Sequence, residues 1–156
     1  MLNNKGQSLI LFVILLPVLL LVFVLVVDLG NIIVLKQELN NISEIVLDYG
    51  LDKLLNVNLD NNEEIIDNDE DNIEVSNEEL DINELTGELV DIVKLNNNDI
   101  DKIDIKIVEN KIYVELNEKV NGIFSSFVDI PIFDVESTYI GYIENDNKRI
   151  ERIVDD

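Results

Sequence analysis

The sequence predicts an α+β protein: a long N-terminal helix, first apolar and then amphipathic, followed by a small outer domain with one helix on an antiparallel sheet. Three observations carry that reading. Leu9–Val27 holds no charged or polar side chain. Apolar residues then recur at helical spacing from Ile32 to Tyr49. Beyond Asp101 the pattern changes to alternation, the period of a strand with one buried face.

The apolar run comes first. At 1.5 Å per residue, Leu9–Val27 reaches roughly 28 Å, close to the ~30 Å hydrocarbon core of a bilayer. Its Leu, Ile, Val and Phe side chains favour insertion by on the order of 5 to 10 kcal/mol. Lys5 precedes the run, whereas Asp28 and nearly all the acid follow it. The positive-inside rule then places residues 1–7 in the cytoplasm and residues 28–156 outside the membrane. The run is longer than the apolar core of a signal peptide, and Asp28-Leu29-Gly30-Asn31 is not a small-x-small cleavage site. A retained single-pass anchor is expected, with membrane lipid as its first partner.

The helix is expected to continue. Ile32, Leu35, Leu39, Ile42, Val46 and Tyr49 are spaced three and four apart, one stripe on one helix face. That stripe serves either as a face for partner helices or as packing on the chain's own sheet. One helix is predicted from about Ser8 to about Asn56, with Pro17 inside it and Gly50 weakening its end. Residues 57–76 are rich in Asn, Asp and Glu and read as an acidic linker. Asn77 can cap a second helix whose apolar face is Leu80, Ile82, Leu85, Leu89, Ile92 and Val93. Ile103, Ile105 and Ile107, then Ile112, Val114 and Leu116, form a hairpin around Glu109-Asn110-Lys111. Ile130–Phe133 and Glu136–Ile143 read as further strands, and Arg149–Val154 returns after an Asn145-Asp146-Asn147 turn. The expected organisation is a head (1–7), a transmembrane helix (8–27), an amphipathic extension (28–56), the linker (57–76) and an extracytoplasmic α+β domain (77–156).

Composition limits the chemistry. The chain has 156 residues, a formal charge of −22, and no His, Cys or Trp. Such acidity argues against nucleic acid as a partner, because phosphates would be repelled. Without His or Cys, thiol and Ser-His nucleophiles and zinc sites of the usual ligands are excluded. No catalytic residue and no cofactor is assigned. One metal pattern is visible: Asp67, Asp69, Asp71 and Glu78 fall at positions one, three, five and twelve of an EF-hand-type loop, a spacing that suits Ca²⁺. Asn72 stands where the loop needs Gly, and Glu74 where it needs an apolar residue, so a solvated acidic linker is the stronger reading of the same residues.

Taken together, Lys5-Gly6-Gln7-Ser8-Leu9, Phe12, Leu15-Leu16-Pro17 and Val27-Asp28-Leu29-Gly30 give the N-terminus a recognisable order. This third of the chain resembles the TadE/TadG-like proteins of the tight adherence (Flp, type IVc) pilus assembly system. The resemblance implies a pilin-like outer domain and partners among other pilin-like or Tad platform proteins. It also makes the Gly6–Gln7 bond a candidate for a prepilin peptidase. Such peptidase sites commonly carry Glu five residues after the Gly, where this chain has Leu11, and that departure points to an uncleaved, accessory component. The function implied is a membrane-anchored, pseudopilin-like structural component of a Flp/Tad-type pilus or secretion system. The alternative is a membrane-tethered binding module, tuned by a divalent cation and unrelated to pili.

Overall fold

A computed structural model describes residues 4–62, 81–123 and 133–153. The elements run α1 (Asn4–Asn62), α2 (Ile82–Asn96), β1 (Lys102–Val108), β2 (Lys111–Val120), β3 (Phe133–Glu144) and β4 (Asn147–Arg152). The strands form one antiparallel sheet in the order β1-β2-β3-β4. The chain divides into two compact units: residues 1–37 with 119–135, and residues 38–118 with 136–156. The α+β expectation holds, with a long apolar N-terminal helix, one further helix and a small antiparallel sheet.

Helix α1 begins before Ser8 and runs past Asn56, longer at both ends than the pattern predicts. Gly50 does not weaken it to a stop. A side chain at Gly50 would meet Ile112 Cδ1 at 2.5 Å and Leu89 Cδ1 at 3.3 Å, so the glycine is a socket for the sheet and α2. No Gly or Pro follows between Leu51 and Asn62, and a helix already nucleated and packed propagates at little cost.

In the larger unit the core lies between the outer part of α1, the helix α2 and one face of the sheet. Leu39, Val46, Leu47 and Leu51 of α1 are fully buried, as are Leu89 and Val93 of α2 and Ile112, Val114 and Leu116 of β2. Alternate residues along β2 and β3 are buried, so the sheet hides one face and leaves the other half-exposed. The β1–β2 register pairs Ile103 with Leu116, Ile105 with Val114 and Ile107 with Ile112, which puts the alternating isoleucines on the core side. Both hairpin turns have two residues. Asn145 and Asp146 take φ of 50° and 57°, the left-handed pair that suits the twist of a tight hairpin and that Asn and Asp tolerate.

Two serines sit inside this core without cost to its hydrogen bonding. Ser43 Oγ donates to the Leu39 carbonyl (3.0 Å), Ser137 Oγ donates to Asn40 Oδ1 (2.9 Å), and the two hydroxyls meet at 3.2 Å. Both residues are fully buried, so the contacts replace lost water and fasten α1 to β3.

Helix α2 starts later than the sequence pattern suggests. Asp81, not Asn77, is its cap, accepting from the backbone N–H of Asn83 (2.8 Å) and Glu84 (3.4 Å). Residues 77–80 lie outside the described residues. Leu85, Leu89 and Val93 form the buried face, whereas Ile82 and Leu95 stay exposed. Gly87 lies mid-helix on the open side, with nothing within 4 Å of where an added methyl would stand. Gly87→Ala therefore gains helix propensity without a clash, and should raise stability by about 1 kcal/mol in chemical unfolding of the full chain in detergent.

Candidate functional site

The N-terminal part of α1 is the first candidate element. Its exposed apolar surface runs from Leu9 through Val27, and the helix is long and apolar enough to cross a membrane. One residue beyond that run, Asp28 is 3 % exposed. Its Oδ1 accepts a hydrogen bond from the Ile123 backbone N–H at 2.9 Å. Gly122 makes this approach possible: a Cβ there would stand 2.5 Å from Asp28 Oδ2, 2.9 Å from Cγ and 3.1 Å from Phe133 Cε2. The Asp at the end of the apolar run is thus held by the segment of the chain that follows β2. Removing it in Asp28→Ala strips a charged acceptor from that amide, an interaction of roughly 1.5 to 3 kcal/mol. The expected result is a rise of at least tenfold in hydrogen exchange at Ile123, read by mass spectrometry or NMR.

The second element is the stripe of six residues named as a partner-helix face. Leu39, Ile42 and Val46 are buried within the chain itself, and Ile32 and Leu35 are half-buried. Tyr49 is at the edge of exposure, and its hydroxyl donates to Glu88 of α2 at 2.9 Å. Lys53, one turn on, lies 5.6 Å from the Tyr49 ring centre and 3.6 Å from the same Glu88 carboxylate. The outer four residues of the stripe are therefore engaged by the chain's own sheet and second helix.

A third cluster gathers at the end of α2. Asn97 Nδ2 donates to both Glu38 Oε1 and Glu118 Oε2, each at 3.1 Å, while its Oδ1 accepts from the Asp99 N–H. One amide thus bridges two carboxylates carried by α1 and β2. Burial pushes the Glu118 carboxyl above the ordinary glutamate range; the Asn97 amide pulls it down, and Glu38, Asp99 and Asp101 push it up again. A carboxyl raised in the folded state costs stability once ionised, and that cost disappears as pH falls through its folded value. On the basic side, hydrogen bonds to Asp48 (2.5 Å) and Asp52 (2.9 Å) raise the Lys148 ammonium, a contribution present at neutral pH and lost only as pH rises through its folded value. Thermal stability should accordingly rise as pH is lowered from neutrality toward the ordinary glutamate range, and Glu118→Gln should flatten that slope.

The remaining sequence candidates are placed as follows. Gly6 and Gln7 lie in the first turns of α1. Asp67, Asp69, Asp71 and Glu78 lie outside the described residues. Among the described residues no group of three or more potential ligands gathers to hold a metal ion. Sequence reasoning missed Gly122 and Ile123 as partners of Asp28, and Asn97 as a bridge. Their only signal was a glycine and an asparagine at element ends, residue types that mark turns anywhere in a chain.

None of the curated proteins and none of the solved structures compared with the chain matches it. A family model does match: the model described as TadE-like protein aligns with residues 6–44, from the Gly-Gln head through the apolar run and Asp28 into the stripe. Residues 6–44, a quarter of the chain that includes the apolar run and the buried Asp28, are thus similar to the TadE-like protein family.

Proposed function

We propose that the chain is a single-pass, membrane-anchored structural component of a Tad-type pilus or secretion assembly, with its acidic α+β portion on the extracytoplasmic side. The TadE-like match over residues 6–44 carries this reading, because it covers the apolar stretch that is long enough to cross a membrane. The exposed apolar length of α1 and the thin basic head before it support anchoring with the N-terminus in the cytoplasm. The role is positional and non-catalytic. A pseudopilin-like part accounts for a long helix that is bare near the membrane and clothed by a sheet further out. The Gly6–Gln7 bond stays intact, since Leu11 replaces the acid that processed pilin-like chains carry at that place; the mass of the mature chain reads this directly.

The test is chemical crosslinking in native membranes followed by identification of the linked proteins. Links to pilin-like subunits or to the platform proteins of such an assembly are expected. Links confined to proteins unrelated to any pilus would overturn the assignment.

A further inference from the structure

We propose that lipid contact does not end with the apolar run at Val27 but continues to Val34, so that residues 28–34 lie in the bilayer's interfacial layer with Asp28 shielded there by the chain itself. This rests on the membrane-anchoring reading above.

Val22, Val26, Leu29 and Ile33 are spaced four, three and four apart and so share one helix face. All four are exposed, Leu29 at 48 % and Ile33 at 58 %, and Val34 beside them is at 62 %. Gly30 on the same side has nothing within 4 Å. The bare face of the span therefore runs past Val27 without a break. The opposite face behaves differently: Asp28, Ile32 and Leu35 are spaced four and three apart, Asp28 is buried and the other two are half-buried. A charge at this height is thus hidden while the apolar groups around it are left open, the reverse of what water would select.

Length supports the same placement. Leu9–Val27 fills the ~30 Å core, and the headgroup layer on the outer side is roughly 5 to 7 Å thick; seven further residues rise about 10 Å, so they cross that layer and bring Val34 to its water-facing edge. The occupant is lipid and not a partner helix. Ile123, whose N–H is bound by Asp28, exposes 53 % of its own surface at the same height along α1. Apolar groups therefore face outward from both sides of the helix at this level. Lipid surrounds such a collar, whereas one docking helix covers a single side. Carboxylate burial by Ile123 and Gly122 then removes the one charged group in this turn, leaving the uncharged Asn31 amide, which the polar headgroup layer can solvate.

The chain has no cysteine, so single-cysteine variants label cleanly. Full-length Val22→Cys, Ile33→Cys and Gln37→Cys, each exposed and free of packing duties, are labelled with an environment-sensitive fluorophore and reconstituted in phosphatidylcholine vesicles. Quenching is measured with lipids bearing a nitroxide near the headgroup, and with iodide present on both sides. The expected result is strong lipid quenching at position 33 and iodide quenching on the order of tenfold weaker than at position 37. Equal iodide quenching at positions 33 and 37 would overturn the proposal, as would a probe at 33 reached by neither quencher, which would mean that another chain covers the face. A probe at position 22 quenched by iodide would instead sink the anchoring reading itself.

Discussion

Leu51→Ala is expected to destabilise the larger unit by about 3 to 4 kcal/mol. Leu51 is fully buried on α1, and its Cδ1 and Cγ would stand 2.9 and 3.4 Å from a Cβ at Gly141, with Leu47 Cδ2 at 3.1 Å. Two leucines of the helix thus fill the groove that a glycine opens in β3. Truncating one removes its transfer energy and leaves a cavity whose floor is backbone and cannot collapse. A methyl at Gly141 would enter the space so vacated. Gly141→Ala alone should destabilise by overpacking, yet in the Leu51→Ala background it should cost less or restore stability. Guanidinium unfolding of the full chain in detergent, followed by tyrosine fluorescence, measures both; Tyr49, Tyr113, Tyr139 and Tyr142 all report on this unit.

The other large effect concerns residence in the membrane. Val18→Asp combined with Leu21→Asp is expected to release the chain from membranes. Each carboxylate near the centre of a span costs about 2.5 to 3.5 kcal/mol, and each replaces a favourable residue, so the pair cancels most of the ~5 to 10 kcal/mol that drives insertion. Val18 and Leu21 are both exposed and touch no core, so the outer unit should fold unchanged. The fraction recovered in the supernatant after alkaline carbonate extraction is the readout, with the circular dichroism of the released chain confirming that it remains folded.

Those elements whose cause is local were readable from residue order alone. The alternation of Ile103, Ile105 and Ile107 against Ile112, Val114 and Leu116 predicts the hairpin, and the observed register pairs those residues. The Asn145-Asp146 turn is similarly local, because residue type decides who tolerates a positive φ. Length and hydropathy made the apolar part of α1 equally plain. What stayed hidden depends on partners far along the chain. Gly50 looks like a helix breaker until Leu89 and Ile112 arrive at its bare face. Asp28 looks like an interface marker, and its partner Ile123 is 95 residues away. Ser43 has a local acceptor in the Leu39 carbonyl, but the hydroxyl it meets across the core, that of Ser137, is 94 residues on. The start of α2 differs from the sequence pattern for another reason: Asn77 and Asp81 are both competent caps four residues apart, and sequence offers no way to choose between them. The same distinction governs the functional reading. The TadE-like segment is a run of consecutive residues and was visible at once, whereas the Asp28–Ile123 tether and the Asn97 bridge needed the fold.

The central claim is that the apolar part of α1 sits permanently in lipid and displays the acidic portion beyond the cytoplasmic membrane. Carbonate extraction of cells together with protease treatment of intact spheroplasts tests it most directly. The account predicts that the full chain stays in the membrane pellet and that external protease removes its C-terminal portion before lysis. Recovery of the chain in the soluble fraction, or a C-terminus protected until the membrane is broken, would contradict it.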